Sequence, residues 1–306
     1  MAVSVVICAY TGERWALLRA AVASVRSQTS PPGEIFVVVD HDDALLARVR
    51  AEIDGVAAIP SREARGLSGA RNSGVAATRG DVVAFLDDDA VAAPDWLEHL
   101  TAPYADARVL GVGGAIEPRW LGGRPPGFPA EFDWVVGCTY AGMPTRRGLV
   151  RNLIGANMSM RRDVLDAVGG FRAGIGRVGL RPTGCEETEL CIRAARRLPG
   201  GTFVHEPRAR VAHAVPADRA TWRYFRARCF AEGQSKARVA AVAGRHDGLA
   251  SERAFALRTL PAAVGRGLAD AAHGDRAGLT RAGAVVAGLA LTTAGYVAGS
   301  VRLVGA

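Results

Sequence analysis

Asp81-Val-Val-Ala-Phe-Leu-Asp-Asp-Asp89 is the stretch that decides the fold. Its apolar middle lacks the alternation of a half-exposed strand, as expected of a strand covered on both faces. It ends in three adjacent carboxylates. Toward the N-terminus, Val3-Ser-Val-Val-Ile-Cys8 and Glu34-Ile-Phe-Val-Val-Val-Asp40 are built the same way and also run into polar residues. Helical stretches, Arg14 to Ser27, Ala44 to Ile53 and Leu67 to Thr78, fill the intervals. Strand, helix, strand, helix, strand predicts a doubly wound α/β fold with a mostly parallel sheet. Ligands of such sheets gather beyond the carboxyl ends of the strands, which singles out Asp40 and the Asp87-Asp88-Asp89 run.

Toward the C-terminus, Pro94-Asp95-Trp96-Leu97-Glu98 reads as a helix opening. The Gly- and Pro-rich stretch from Gly111 to Gly148, with Gly-Gly-Arg-Pro-Pro-Gly at 122–127, reads as a long functional loop or lid. A helix-rich part begins near Asp218. The expected division is therefore an α/β domain over 1–217 and a basic helical extension over 218–306.

The chain has 306 residues, 49% hydrophobic and 22% charged, enough to bury a large core and unlike a disordered tail or a disulfide-stapled peptide. Of its 38 basic residues only Lys236 is lysine, a skew that codon usage explains better than phosphate recognition, so the net charge of +8 does not indicate nucleic acid. Residues 1–200 carry 23 basic and 23 acidic side chains, whereas 201–306 carry 15 and 7. All of the excess lies in the last third. Five cysteines without a CxxC pair argue against a zinc knuckle and a disulfide framework and fit a reducing cytoplasm. Val3 to Cys8 is too short for a signal-peptide core and has no basic leader, so the N-terminal part is expected on the cytoplasmic side.

Three adjacent carboxylates repel one another unless a cation or hydrogen-bond donors offset them. Mg²⁺ or Mn²⁺ does so by taking one or two carboxylates and completing its shell with substrate phosphates and water. A solvated acidic turn capping the next helix is the alternative; the position at a strand end favours the metal.

Several segments, in order over roughly the first 230 residues, resemble family 2 glycosyltransferases of the GT-A fold. Val-Val-Ile-Cys-Ala-Tyr at 5–10 is similar to the family's first strand and turn, with Cys8 in place of a frequent Pro and Thr11 of a frequent Asn. Glu34 to Asp40 resembles the second strand, Gly66-Leu-Ser-Gly-Ala-Arg71-Asn72-Ser-Gly74 the ARNxG helix, and Asp87 to Asp89 the DxD motif. Gly155-Ala-Asn157, Arg161 and Gly169-Gly170-Phe171 resemble the acceptor-side segment, and Cys185-Glu-Glu-Thr-Glu-Leu-Cys-Ile-Arg193 the ED-containing helix.

The resemblance implies a Rossmann-like nucleotide-binding half, an acceptor-binding half, and transfer of a sugar from a nucleoside-diphosphate donor to an acceptor hydroxyl with inversion. Asp40 would accept a hydrogen bond from a pyrimidine ring N–H, favouring a UDP- or dTDP-sugar without excluding guanine. Arg71 would hold a base carbonyl or the diphosphate. Asp87 and Asp88 would contact the donor, and Asp89, with His213 from His205-Glu-Pro-Arg-Ala-Arg-Val-Ala-His213, would ligate Mn²⁺ or Mg²⁺. Of the catalytic pair Glu186 and Glu187, Glu187 would be the general base by position, although the family usually has Asp there, which leaves Glu186 as the alternative. Asn157 and Arg161 would contact donor sugar or acceptor, and Gly170 and Phe171 would line the acceptor mouth. A glycan, a lipid-linked sugar or a small molecule all suit as acceptor.

The C-terminal third interleaves Arg219, Arg223, Arg226, Arg228, Lys236, Arg238 and Arg245 with Trp222, Tyr224, Phe225 and Phe230, and at helical spacing Trp222, Phe225 and Cys229 share a face. This suits a membrane surface, a packed helix or an oligomer contact. Ala282 to Val301 is uncharged and as a helix would be roughly 30 Å long, but its glycines favour a surface or packed helix over a span. Two other enzyme classes fit less well. A haloacid dehalogenase-type phosphotransferase needs a nearby Lys, and a nucleotidyltransferase needs a Gly-rich loop where Ala9-Tyr-Thr-Gly-Glu13 has one glycine. A non-catalytic carbohydrate- or membrane-binding protein of the same fold is separated from an enzyme by turnover.

Overall fold

The computed structural model describes residues 1–177, 184–244 and 250–304; Arg245 lies outside them. The described residues divide into two compact units, one of 1–117, 144–177 and 186–214, the other of 118–143, 184–185 and the chain from 215 onward. The second unit thus takes in 118–143 as well as the C-terminal helices.

The first unit is built on a mixed sheet of nine strands among the described residues: β1 (Val3–Ala9), β2 (Glu34–Val39), β3 (Ala57–Pro60), β4 (Val82–Asp87), β5 (Ala90–Ala92), β6 (Val109–Trp120), β7 (Gly148–Val150), β8 (Asn157–Arg161) and β9 (Thr202–Val215). Their order is β3-β2-β1-β4-β8-β6-β9-β5, with β7 on β9. The strands β3, β2, β1 and β4 are mutually parallel. From β8 on the pairings are antiparallel, which the sequence reading did not anticipate. It also passed over β3, a half-exposed edge strand with only Ile59 as a bulky apolar residue.

Helices α1 (Trp15–Arg26), α2 (Asp43–Glu52) and α3 (Leu67–Ala77) cross between the parallel strands, and α4 (Trp96–Thr101), α5 (Arg162–Val168) and α6 (Glu186–Arg197) follow later in the chain. In α1, Leu18, Ala21, Val22 and Val25 recur at helical spacing and are the buried face. Asp42 caps α2, its carboxylate accepting from Leu45 N at 2.9 Å. A Cβ on Gly74 would lie 2.6 Å from Val6 Cγ1, so the glycine of the ARNxG segment lets α3 close onto the sheet. Val6, Val38, Val83, Phe85, Met158 and Phe171 belong to the core beneath, where Phe85 and Phe171 meet edge to face at 5.5 Å.

Gly111 to Trp120, read from sequence as the start of a loop, is part of the 12-residue strand β6. Its glycines mark close approach: a Cβ on Gly114 would lie 1.9 Å from Ala209 O.

The second unit centres on α7 (Trp222–Ala243), capped by Thr221, whose hydroxyl accepts from Tyr224 N at 3.2 Å. Phe225 and Cys229 are buried, and Phe225 packs edge to face on Phe128 at 5.4 Å; Trp222 at the helix start remains partly exposed. Ala277–Val304 is one helix lying against α7. The two backbones come together at glycines: a Cβ on Gly295 would be 2.0 Å from Phe230 O, and one on Gly233 2.0 Å from Thr292 O. The glycines thus serve packing. Ala277–Arg302 is nonetheless long and apolar enough to cross a membrane, with 28% of its most apolar window buried, and it exposes Leu279, Val286, Val297 and Val301.

Candidate active site

Parallel register brings the strand ends together. Cys8 lies between Val38 and Asp87, so the residues after β1, Asp40 after β2, and the acidic run after β4 share one edge. They line a cleft with Tyr10, Arg14, Leu67 and Arg177. The chain then turns into β5, whose pairing sets Ala90 opposite His213 of β9. This register brings His213 Nε2 to 3.0 Å from Asp89 Oδ1, and Ala214 N donates to Asp89 O at 2.8 Å. Donor atoms of Asp87, Asp89 and His213 all lie within 4.8 Å of one another. Two residues foreseen from one motif and a third from a distant strand converge here.

Among the described residues the cluster holds more carboxylates than guanidinium partners. Arg14 Nη1, on a 3-10 turn after β1, sits 3.0 Å from both Asp88 Oδ1 and Asp89 Oδ2. Burial disfavours the Arg14 charge, but Asp89 and Asp88 outweigh it and hold the guanidinium above its ordinary range. Burial, reinforced by the Asp89 charge and opposed by Arg14, pushes the Asp88 carboxyl up to about 7. Among the described residues, Asp88 Oδ2 is buried with no hydrogen-bond partner. Two carboxylates and an imidazole converging beside an undercompensated acidic run fit a divalent cation. Sequence reasoning missed Arg14 and Arg177; in a chain with 37 arginines neither stands out.

Asp40 is held at the end of β2, Oδ2 accepting from Gly66 N at 2.9 Å and Oδ1 lying 2.8 Å from His41 Nδ1. Among the described residues two non-glycines have positive φ, His41 at 55° and Cys185 at 73°. Each directly adjoins a residue singled out from sequence, Asp40 and Glu186. Such conformations cost energy and cluster at functional sites.

Arg71 was read as a donor contact, and the structure places it fully inside. Its Nη1 donates to Glu186 Oε1 at 2.9 Å and its Nη2 to Gly155 O at 3.0 Å, with Asp87 Oδ1 at 3.5 Å. The guanidinium lies over the rings of Phe171 and Phe85, at 5.4 and 5.9 Å. Burial disfavours its charge, and Glu186 and Asp87 more than restore it. Arg71 therefore ties the acidic strand end to the first turn of α6 (Glu186–Arg197). Glu186 is committed to that pair; Glu187, the next residue, is half-buried.

The remaining sequence candidates take framework positions. Asn157 is fully buried, its Oδ1 accepting from Trp96 Nε1 at 2.7 Å and its Nδ2 donating to Ala209 O at 2.8 Å and Ala115 O at 2.9 Å. Arg161 pairs with Val82 at the opposite end of β4 from the acidic run and donates to the carbonyls of Val109 and Tyr104, both at 2.8 Å. It is thus away from the cleft edge. Gly170, with φ 69°, follows helix α5 (Arg162–Val168) in the left-handed region. Phe171 is buried in the core, its N–H donating to Asn72 Oδ1 at 2.7 Å and its carbonyl accepting from Asn72 Nδ2 at 2.8 Å. The Phe171 ring backs the Arg71 guanidinium, and Gly170 O accepts from Arg193 Nη2 at 2.9 Å.

Known proteins share this architecture. The family described as Glycosyl transferase family 2 matches residues 4–169. Glucosyl-dolichyl phosphate glucuronosyltransferase of Haloferax volcanii is 38% identical over 77% of this chain and 76% of its own length. Succinoglycan biosynthesis protein ExoM of Rhizobium meliloti is 30% identical over 57% of this chain and 53% of its own. Among solved structures, mannosyltransferase PcManGT from Pyrobaculum calidifontis, in complex with GDP-Man and Mn²⁺, has a TM-score of 0.59 at 18% identity and covers 95% of this chain and 86% of its own. GalNAc-T7 with UDP, GalNAc and Mn²⁺ has a TM-score of 0.52 at 20% identity, covering 70% of this chain and 43% of its own. With the profile spanning more than half of its residues and a 38%-identical relative over most of its length, this chain is a glycosyltransferase of family 2, built on the GT-A fold.

Proposed function

We propose that the protein transfers a sugar from a nucleoside-diphosphate donor to the hydroxyl of a lipid-phosphate-linked acceptor, with inversion, aided by a divalent cation on Asp87, Asp89 and His213. The observation that carries this reading is the convergence of those three residues beside the cleft at the strand ends. A cation bound there supplies positive charge against the negative charge that builds on the departing diphosphate. An imidazole among the ligands suits Mn²⁺ better than Mg²⁺, whose preference is for oxygen.

The chain's own residues do the rest. Asp40 accepts from a ring N–H of the base, which favours a uracil or thymine donor, and its position is fixed by Gly66 N. Arg71 and Glu186 brace the first turn of α6. Glu187 removes the acceptor proton as the hydroxyl attacks the anomeric carbon from the side opposite the diphosphate. With Glu187 as base and the hydroxyl attacking directly, there is one displacement and hence inversion. The lipid-linked acceptor draws support from the dolichyl phosphate substrate in the name of the 38%-identical relative and from the long apolar helix of the second unit.

The test is a screen of UDP-, dTDP- and GDP-sugars for diphosphate release with Mn²⁺ and a polyprenyl-phosphate-sugar acceptor. Release from one donor that depends on both acceptor and Mn²⁺ is expected; release from none would remove the reading. We place the enzyme at the cytoplasmic face of a membrane, held by its basic, apolar C-terminal part. The full chain should sediment with anionic vesicles at low salt and wash off at high salt, since the attraction is screened over about 8 Å at physiological ionic strength. Resistance to both salt and alkali would indicate a spanning helix, and no sedimentation would end the membrane assignment.

A further inference from the structure

Arg14 stands directly against the acidic run at the strand end. Its single Nη1 is 3.0 Å from oxygens of two different carboxylates, Asp88 and Asp89, and Asp89 is one of the three residues whose donor atoms converge. It extends from the turn after β1, directly before α1, and stands 5.1 Å from the Tyr10 ring centroid in the same cleft. Three carboxylates at one strand end need positive charge whether or not a metal is present. Arg71, 3.5 Å from Asp87, is already shared with Glu186, so among the described residues Arg14 is the guanidinium that faces Asp88 and Asp89 together.

Resting on the metal-site reading above, we infer that Arg14 is a positioning residue that couples cation binding to diphosphate binding: it serves as counter-ion to Asp88 and Asp89 in the free protein and turns to the diphosphate when the donor arrives. The argument is one of charge and geometry. A divalent cation approaching Asp89 meets a guanidinium already on Oδ2, so cation binding to the free protein is opposed. A nucleoside diphosphate brings negative charge and oxygen pairs that match the guanidinium fork. Once it draws Arg14 off, the carboxylates are left to the cation. The coupling is reciprocal, so each ligand must tighten the other by the same factor.

Calorimetry on the full chain tests this with Mn²⁺ alone, UDP and GDP alone, and each diphosphate at saturating Mn²⁺, for the wild type, Arg14→Gln and Arg14→Lys. In the wild type, Mn²⁺ alone should bind weakly and a diphosphate should tighten it at least about tenfold, or 1.4 kcal/mol. Arg14→Gln should bind Mn²⁺ alone about tenfold more tightly and lose most of the coupling, and Mn²⁺ should raise its melting temperature more than that of the wild type. Arg14→Lys, which keeps the charge, should retain weak binding of Mn²⁺ alone and part of the coupling. If Arg14→Gln binds Mn²⁺ no more tightly than the wild type, or stays folded and loses Mn²⁺ binding, Arg14 merely orients the carboxylates and the inference is overturned. If the wild type binds no Mn²⁺ even with either diphosphate, the metal-site reading fails as well.

Discussion

Each compact unit of this chain buries a cluster of acidic and basic side chains, and the two clusters treat a carboxylate in opposite ways. In the second unit, Glu232 on α7 accepts from Arg228 at 2.8 Å and faces Lys236 at 3.2 Å, while Lys236 also reaches Glu252 at 2.6 Å. Among the described residues, two cations meet two carboxylates. Burial alone would raise Glu232, yet Lys236 and Arg228 hold it down at about 2. In the first unit, burial and Asp89 push Asp88 up to about 7 against the opposing charge of Arg14. The clusters share chemistry and depth and differ in their balance. A balanced buried cluster fixes structure, whereas one short of positive charge is poised to take a cation.

The largest effect expected from disturbing this contrast is on rate. Glu187→Gln should keep nucleoside diphosphate binding and lose transfer by about 10² to 10⁴-fold, or about 3 to 5 kcal/mol of barrier. Glu186→Gln should instead act on stability, because it deprives the buried Arg71 of its partner. Retained transfer in the first variant and lost transfer in the second, both with normal melting, would exchange the roles of the two glutamates.

Breaking the balanced cluster should cost stability. Glu232→Gln leaves Arg228 and Lys236 buried with too little negative charge, a loss of about 3 kcal/mol by denaturant titration at neutral pH. The folded-state value of Glu232 lies below its ordinary 4.5, so its stabilisation is present above pH 4.5 and is lost as pH falls toward about 2. The gap between variant and wild type should therefore close over that range. A gap independent of pH would mean the pair contributes packing alone.

Relieving the unbalanced cluster should do the reverse, and more weakly. Asp88→Asn should stabilise the metal-free protein by about 1 kcal/mol at neutral pH. Asp88 has a folded-state value of about 7, above its ordinary 3.8, so it binds its proton more tightly when folded. It costs stability increasingly as pH rises from 3.8 to 7, and the advantage of the variant should grow over that window. A destabilised Asp88→Asn in the absence of metal would show that the Arg14 contact already balances the site.

Much of the parallel half of the sheet was legible because its strands are buried on both faces and read as unbroken apolar runs, as β4 does. The second half was harder to see. In β6, Gly111 and Gly114 resemble loop residues until Ser159 O and Ala209 O are seen to crowd the space where side chains would stand. The acidic run stood out because it directly follows a buried apolar strand. His213 was legible only through resemblance, since the pairing of β5 with β9 that places it beside Asp89 leaves no local pattern. Asn157, Arg161 and Phe171 carry the residue types of a binding site, but their polar atoms or rings are spent on the frame, which only the fold reveals. Arg14 was invisible for the opposite reason, being one arginine among 37.

The most direct test of the central claim, that the unbalanced acidic strand end is a cation site serving a nucleoside diphosphate, is calorimetric titration of UDP and GDP into the wild type and Asp89→Ala, with and without Mn²⁺. Diphosphate binding that strengthens with Mn²⁺ in the wild type and loses that dependence in Asp89→Ala, while the metal-free melting temperature stays the same or rises, is the predicted result. An unchanged Mn²⁺-dependent affinity in Asp89→Ala would contradict it.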